Sequence, residues 1–188
     1  MHKDVVIVGA GISGIGAAYN LQKSCKAKSF AIIEGRSDLG GTWDLFKYPG
    51  IRSDSDMHTL GFRFKPWIND KSIADGPSIL NYLNETTDEY NIREKILFNH
   101  KVKSANWIST ESVWELEVHD DNNSINKFTC NFLFMCGGYY SYDKPHQPDF
   151  SGQESFNGKI IHPQFWDESL DLSLIHISEP TRRYAISY

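Results

Sequence analysis

The chain opens on Val5-Val6-Ile7-Val8, a β-branched run with no polar alternation. Such a run predicts a strand buried on both faces, at the centre of a parallel sheet. After a glycine turn, Ile15, Ala18, Tyr19 and Leu21 recur at helical spacing to about Lys23, and a polar stretch from Ser24 to Lys28 follows. Ser29 to Glu34 reads as a second buried strand that ends in an acid. Together these segments predict a βαβ unit with a right-handed crossover. Gly35 to Asp75 is rich in Gly, Asp, Ser and Pro and has only short apolar runs. An irregular stretch of that length is more often functional than idle.

Further on, Ile79, Tyr82 and Leu83 predict a helix over Ser78 to Tyr90 with Ser78 as its N-cap. Lys95–Val102, Ala105–Ser109, Ser112–His119 and Lys127–Cys130 read as short strands, with Asp120-Asp121-Asn122-Asn123 as a hairpin turn. Asn131 to Cys136 predicts another buried strand, closed by Gly137-Gly138, either a turn near a cofactor or a plain strand end. The expected fold class is α/β: a Rossmann-like domain with a parallel central sheet and an antiparallel β-meander insertion.

Composition narrows the partners. With 188 residues, 40% hydrophobic content and no low-complexity stretch, one folded domain is expected. The net charge of −5 and the scattered Lys and Arg supply no basic stripe for nucleic acid or an anionic membrane. A small molecule is the better expectation. Cys25, Cys130 and Cys136 are an odd count without metal-ligand spacing, and read as reduced thiols of a cytoplasmic protein. No metal site is expected. The apolar run at residues 5–8 is shorter than a signal-peptide core of about 7–15 residues. No run approaches the roughly 20 residues of a membrane span, which leaves peripheral membrane contact open.

The first chemistry lies at Gly9-Ala10-Gly11-Ile12-Ser13-Gly14, a GxGxxG between the predicted strand and helix. Gly9 allows the tight turn, Gly11 lets a pyrophosphate approach the backbone, and Gly14 lets helix and strand pack closely. The helix N-terminus offers unpaired N–H groups and positive potential. Glu34, ending the next strand, would accept hydrogen bonds from an adenosine ribose. A carboxylate there repels a 2′-phosphate, so the site is expected to take FAD or NAD rather than NADP.

From Gly40-Gly41-Thr42-Trp43 through Tyr48-Pro49-Gly50-Ile51-Arg52-Ser53-Asp54 to Met57, the chain resembles the class B flavin-dependent monooxygenases. It is particularly similar to the Baeyer–Villiger branch that includes the ethionamide-activating monooxygenase of mycobacteria. Phe156-Asn157-Gly158-Lys159-Ile160-Ile161-His162-Pro163-Gln164-Phe165-Trp166 fits that branch's FxGxxxHxxxW fingerprint at Phe156, Gly158, His162 and Trp166. The resemblance runs from Asp4 to Asp171. It implies an FAD- and NADPH-dependent enzyme that uses dioxygen, through a C4a-peroxyflavin, on a ketone or thio-compound.

For single residues the resemblance implies that Ser13 and Glu34 touch pyrophosphate and ribose, that Thr42, Trp43, Asp44 and Leu45 line the flavin's passage, and that Gly41 is also cofactor-binding. It puts Asp54 beside the isoalloxazine, Val102 at the adenine end, and Arg52, Ser53 and Asp54 towards NADPH. Core packing for Trp43 and a turn role for Asp54 stay open. His162 is expected to act structurally and conformationally, and no catalytic residue is expected within the chain. Position in the chain favours FAD at this first site.

The resemblance further implies a truncated FAD-binding domain over 1–171, ending in the linker to an NADPH domain. Residues 172–188 resemble translated sequencing-adapter sequence. Rival expectations are a flavin-containing N- or S-monooxygenase and a non-catalytic dinucleotide-binding module. A disulfide reductase is disfavoured because no CxxxxC pair follows the first βαβ unit.

Overall fold

The computed structural model describes residues 1–170 and 172. The reading of 172–188 as non-native tail falls, but for Leu172, outside the described residues. Strand β1 (His2–Val8), helix α1 (Ile12–Ser24) and strand β2 (Phe30–Ile33) form the expected βαβ unit, with β1 and β2 parallel from Val5 opposite Phe30 to Val8 opposite Ile33. The irregular stretch holds two single helical turns, α2 (Thr42–Leu45) and α3 (Met57–Leu60), and leads to the longer helix α4 (Gly76–Glu89). A 3-10 turn over Arg93–Lys95 precedes the short strand β3 (Ile96–Leu97). Strands β4 (His100–Ile108), β5 (Val113–Asp120) and β6 (Ile125–Met135) complete one six-stranded sheet of order β3-β2-β1-β6-β5-β4.

The sheet is parallel across β3, β2, β1 and β6 and antiparallel across β6, β5 and β4. The meander is therefore continuous with the Rossmann-like sheet. β6 makes the join: residues 125–130 pair with β5, whereas Thr129 to Met135 pair with β1. The two strands expected over Lys127–Cys130 and Asn131–Cys136 are one strand that changes partner near Cys130. Its second half is not buried either. Phe132 and Phe134 sit opposite Val5 and Ile7, but α1 covers only the β1–β2 side of that face, leaving them 68% and 42% exposed.

Two further expectations change. Lys95–Val102 is no single strand, because the 3-10 turn and Asn99 (φ 57°) divide it into β3 and the start of β4. Ala105–Ser109 belongs to the same β4, which bulges between Val102 and Ser104. The N-cap of α4 is Asp75 rather than Ser78: its carboxylate accepts from the Ser78 N–H at 2.9 Å, and Pro77 occupies the first turn. Periodicity alone started the helix too late, since Gly76 and Pro77 carry no apolar signal.

Apolar burial falls on the two faces of the sheet. On one, Val5, Ile7 and Ile32 meet Ile15 and Ala18 of α1 and Ile79 and Leu83 of α4. On the other, Val6 and Ile33 meet Leu116, Val118, Phe128 and Cys130 of the meander. Burying a Leu, Ile or Val side chain contributes about 1.5–3 kcal/mol. These two layers fix β1 and β2, and ladder pairing with β1 sets the carboxyl end of β6 beside them. Tyr82 ties the irregular stretch to α4, donating to the Lys65 carbonyl at 2.5 Å and accepting from the Phe62 N–H at 2.8 Å.

Candidate dinucleotide site

Beyond the carboxyl ends of β1, β2 and β6 the chain order reverses direction across the sheet, the position where open α/β sheets bind ligands. Gly9 is the meeting point. It has φ 102°, its N–H donates to the Ile33 carbonyl at 2.8 Å, and a Cβ there would lie 2.5 Å from the Cys136 carbonyl oxygen. At Gly14 a Cβ would fall 1.9 Å from the Gly9 carbonyl oxygen, so helix and turn touch through backbone alone. Gly11 is the N-cap of α1 and brings no capping side chain. The first-turn N–H groups, with the positive end of the helix dipole, suit a phosphate anion.

Glu34 is 3% exposed, yet both its carboxylate oxygens are engaged. Oε2 accepts from the Ala10 N–H at 2.7 Å, and Oε1 accepts from the Arg36 N–H at 3.0 Å. A carboxylate has about four acceptor positions, so capacity remains for sugar hydroxyls. Gly40 donates to the Ala10 carbonyl at 3.0 Å and sets Gly41 against Gly11, so the Gly40-Gly41 turn closes the phosphate loop from the other side.

These elements bound a cavity of about 750 Å³. Of the expected residues, Gly9, Gly11, Ser13, Glu34, Gly41, Thr42, Trp43 and Val102 line it. Gly14 lies behind the turn. Asp44 is turned to Arg36, whose Nε donates to its Oδ2 at 3.1 Å, and Leu45 continues the α2 turn. Arg52, Ser53 and Asp54 lie outside the lining. Arg52 forms a backbone bridge with Asp75, the buried Ser53 hydroxyl accepts from the Ala74 N–H at 3.1 Å, and Asp54 is exposed. Tyr140, a lining residue, has its phenol pushed up to about 12, first by hydrogen bonding with Tyr139 and then by burial.

The fingerprint residues also lie outside the cavity. Phe156 is exposed, a Cβ on Gly158 would strike its ring, and Trp166 is half-buried. His162 accepts at Nδ1 from the Gln164 N–H at 3.2 Å, so its Nε2 donates to the His146 carbonyl at 3.1 Å. Both ring nitrogens thus serve to shape the chain.

Sequence reasoning missed Arg36, Lys101, Cys136 and Tyr142, all of which line the cavity. The Arg36 guanidinium lies 5.4 Å from the centre of the Tyr142 ring. Burial, and then the Glu34 charge, hold the Tyr142 phenol above its ordinary range. Burial likewise pushes the Cys136 thiol up, keeping it neutral at the cavity floor. None of the four sits in a spacing pattern that marks it, and Tyr142 meets Arg36, and Asp143 meets Lys101, from far along the chain. Among the described residues, no three or more His, Cys, Asp or Glu gather to hold a metal.

Comparison with known proteins shows similarity over most of this chain. Residues 7–70 match the model of the NAD(P)-binding Rossmann-like domain. Over 170 residues the chain is 57% identical to the FAD-containing monooxygenase EthA of Mycolicibacterium smegmatis, covering 90% of this chain and 34% of that one. Over that stretch the chain is similar to FAD-containing monooxygenases. It is 52% identical to the probable FAD-binding monooxygenase AlmA of Acinetobacter sp, covering 89% of this chain and 34% of that monooxygenase. Solved monooxygenases share the fold. A cyclohexanone monooxygenase from Rhodococcus sp. Phi1 bound to NADP+ superposes with a TM-score of 0.74 at 28% identity, covering 92% of this chain and 32% of that one. An oxidized steroid monooxygenase bound to NADP gives 0.73 at 29%, covering 89% and 32%. The chain spans about a third of the length of the curated monooxygenases it matches.

Proposed function

We propose that the chain forms the FAD-binding part of an FAD- and NADPH-dependent monooxygenase of the Baeyer–Villiger type. The complete protein transfers one oxygen atom from dioxygen to a ketone or to a sulfur group, in the cytoplasm. The observation that carries this reading is the buried Glu34 carboxylate, anchored to the N–H groups of Ala10 and Arg36 beside the side-chain-free start of α1. A fixed negative charge at that point accepts ribose hydroxyls and repels a 2′-phosphate, which favours FAD over NADP. Similarity to proteins named as FAD-containing monooxygenases supports the same choice.

In this proposal Gly9, Gly11, Ser13 and Gly14 hold the pyrophosphate against backbone amides, Glu34 grips the ribose, and Val102 bounds the adenine end. Gly41, Thr42 and Trp43 flank the passage towards the isoalloxazine, with Asp44 and Leu45 supporting that turn. Arg52, Ser53 and Asp54 face the nicotinamide when NADPH docks. The bound flavin would supply electron acceptance and oxygen activation. The chain's own groups contribute placement and exclusion of water.

The test is a titration of the chain with FAD. Saturable binding that is weakened at least about tenfold by Glu34→Ala is the expected result, one ribose contact being worth about one such factor. Equal binding by both proteins overturns the site assignment. NADPH-dependent oxygen uptake should be absent from the 188-residue chain, which spans only a third of its relatives, and measurable uptake overturns that expectation.

A further inference from the structure

After β6 the chain crosses the cavity as a strap, residues 137–143, that is held to the rest of the protein at separate points. Tyr142 lies against the Arg36 guanidinium at 5.4 Å, just past the ribose-binding end of β2. Asp143 pairs with Lys101 at the start of β4, beside Val102. The third hold comes from the fingerprint segment. Gln164, 7% exposed, donates its side-chain amide to the Ser141 carbonyl at 2.7 Å and reaches the Tyr142 carbonyl at 3.5 Å.

Gln164 stands at a position the FxGxxxHxxxW pattern leaves free, and it does not line the cavity. A buried amide kept at such a place is explained by its partner. Removing it would leave the Ser141 carbonyl without its side-chain donor. We infer that Gln164 is a positioning residue for dinucleotide retention: through Ser141 it fixes the strap so that Tyr142 closes the adenosine end of the site over Arg36. The fingerprint segment is thereby coupled to the first cofactor site through this side chain. This inference rests on the FAD reading above.

The test compares the chain with Gln164→Met, which keeps length without a donor, with Tyr142→Ala, and with the double variant. After loading with FAD, release is followed by flavin fluorescence on dilution, and hydrogen exchange is read at the amides of residues 139–143. Gln164→Met should release FAD about fivefold faster, the scale of one lost hydrogen bond, with faster exchange in the strap and an unchanged thermal midpoint. Tyr142→Ala should do the same, and the double variant should release no faster than the faster single one, since both act through one element. Unchanged release from Gln164→Met overturns the inference, as do two effects that multiply independently. A parent chain that fails to bind FAD overturns the dinucleotide reading itself, a result separate from the other two.

Discussion

Alanine at Gly14 would place its Cβ 1.9 Å from the Gly9 carbonyl oxygen, while alanine at Gly11 would meet nothing closer than the Gly41 Cα at 3.6 Å. The two substitutions should therefore separate folding from binding. Gly14→Ala is expected to cost at least about 2 kcal/mol by forcing helix and turn apart, seen as a lowered thermal midpoint. Gly11→Ala should change stability by less than about 1 kcal/mol yet weaken FAD binding, because the added methyl stands where the pyrophosphate approaches. Undiminished FAD affinity in Gly11→Ala would refute that placement. The role of Glu34 was legible only in part. Its place at a strand end gave only the expectation of a ribose ligand, and its bonds to Ala10 and Arg36 needed the fold to become visible. Arg36 and Tyr142 were harder still, because Tyr142 meets Arg36 across more than a hundred residues of sequence.

At the scale of elements, the first βαβ unit was readable because its signals are local: a β-branched run, a glycine turn, a helical period. β6 was not, since its halves serve different neighbours and its apolar positions face both a packed layer and open surface. The start of α4 shows the same limit, with Asp75 capping from one residue before a stretch that has no apolar period. Hydrogen bonding from Ser78, side chain first and then backbone, holds the Asp75 carboxyl below its ordinary value of 3.8. A lowered folded-state value means that the cap's stabilisation is complete above the unfolded-state value and is lost as pH falls through the folded one. Asp75→Ala should cost about 1 kcal/mol at neutral pH, and the gap to the parent should narrow in acid below pH 3.8. Urea melts at two pH values check this, and an equal gap at both would exclude a charged cap.

Considered whole, the molecule carries its apolar surface unevenly. Phe132 and Phe134 leave an apolar strip beside α1, on the face where β1 and β2 are covered. Strips of this kind drive association. Replacing both residues with serine should reduce self-association in light scattering at high concentration, with little loss of thermal stability because neither side chain is buried. Persistent association in the double variant would show that another surface is responsible. Among the described residues no helix is long and apolar enough to cross a membrane.

The pairing of β1 with β6 also bears on how a nascent chain reaches this state. The turn at Gly9 rests on the Cys136 carbonyl, and the Met1 carbonyl accepts from the Thr129 N–H at 2.9 Å. Emerging from the ribosome, β1 and β2 can pair early, but one edge of β1 stays open until residues 129–136 have been synthesised. Contacts so distant in sequence form late, and an unpaired apolar strand edge in the interval invites chaperone capture or misassociation. The cradle proposed for the cofactor thus begins with β1 and is closed only by β6, more than a hundred residues later.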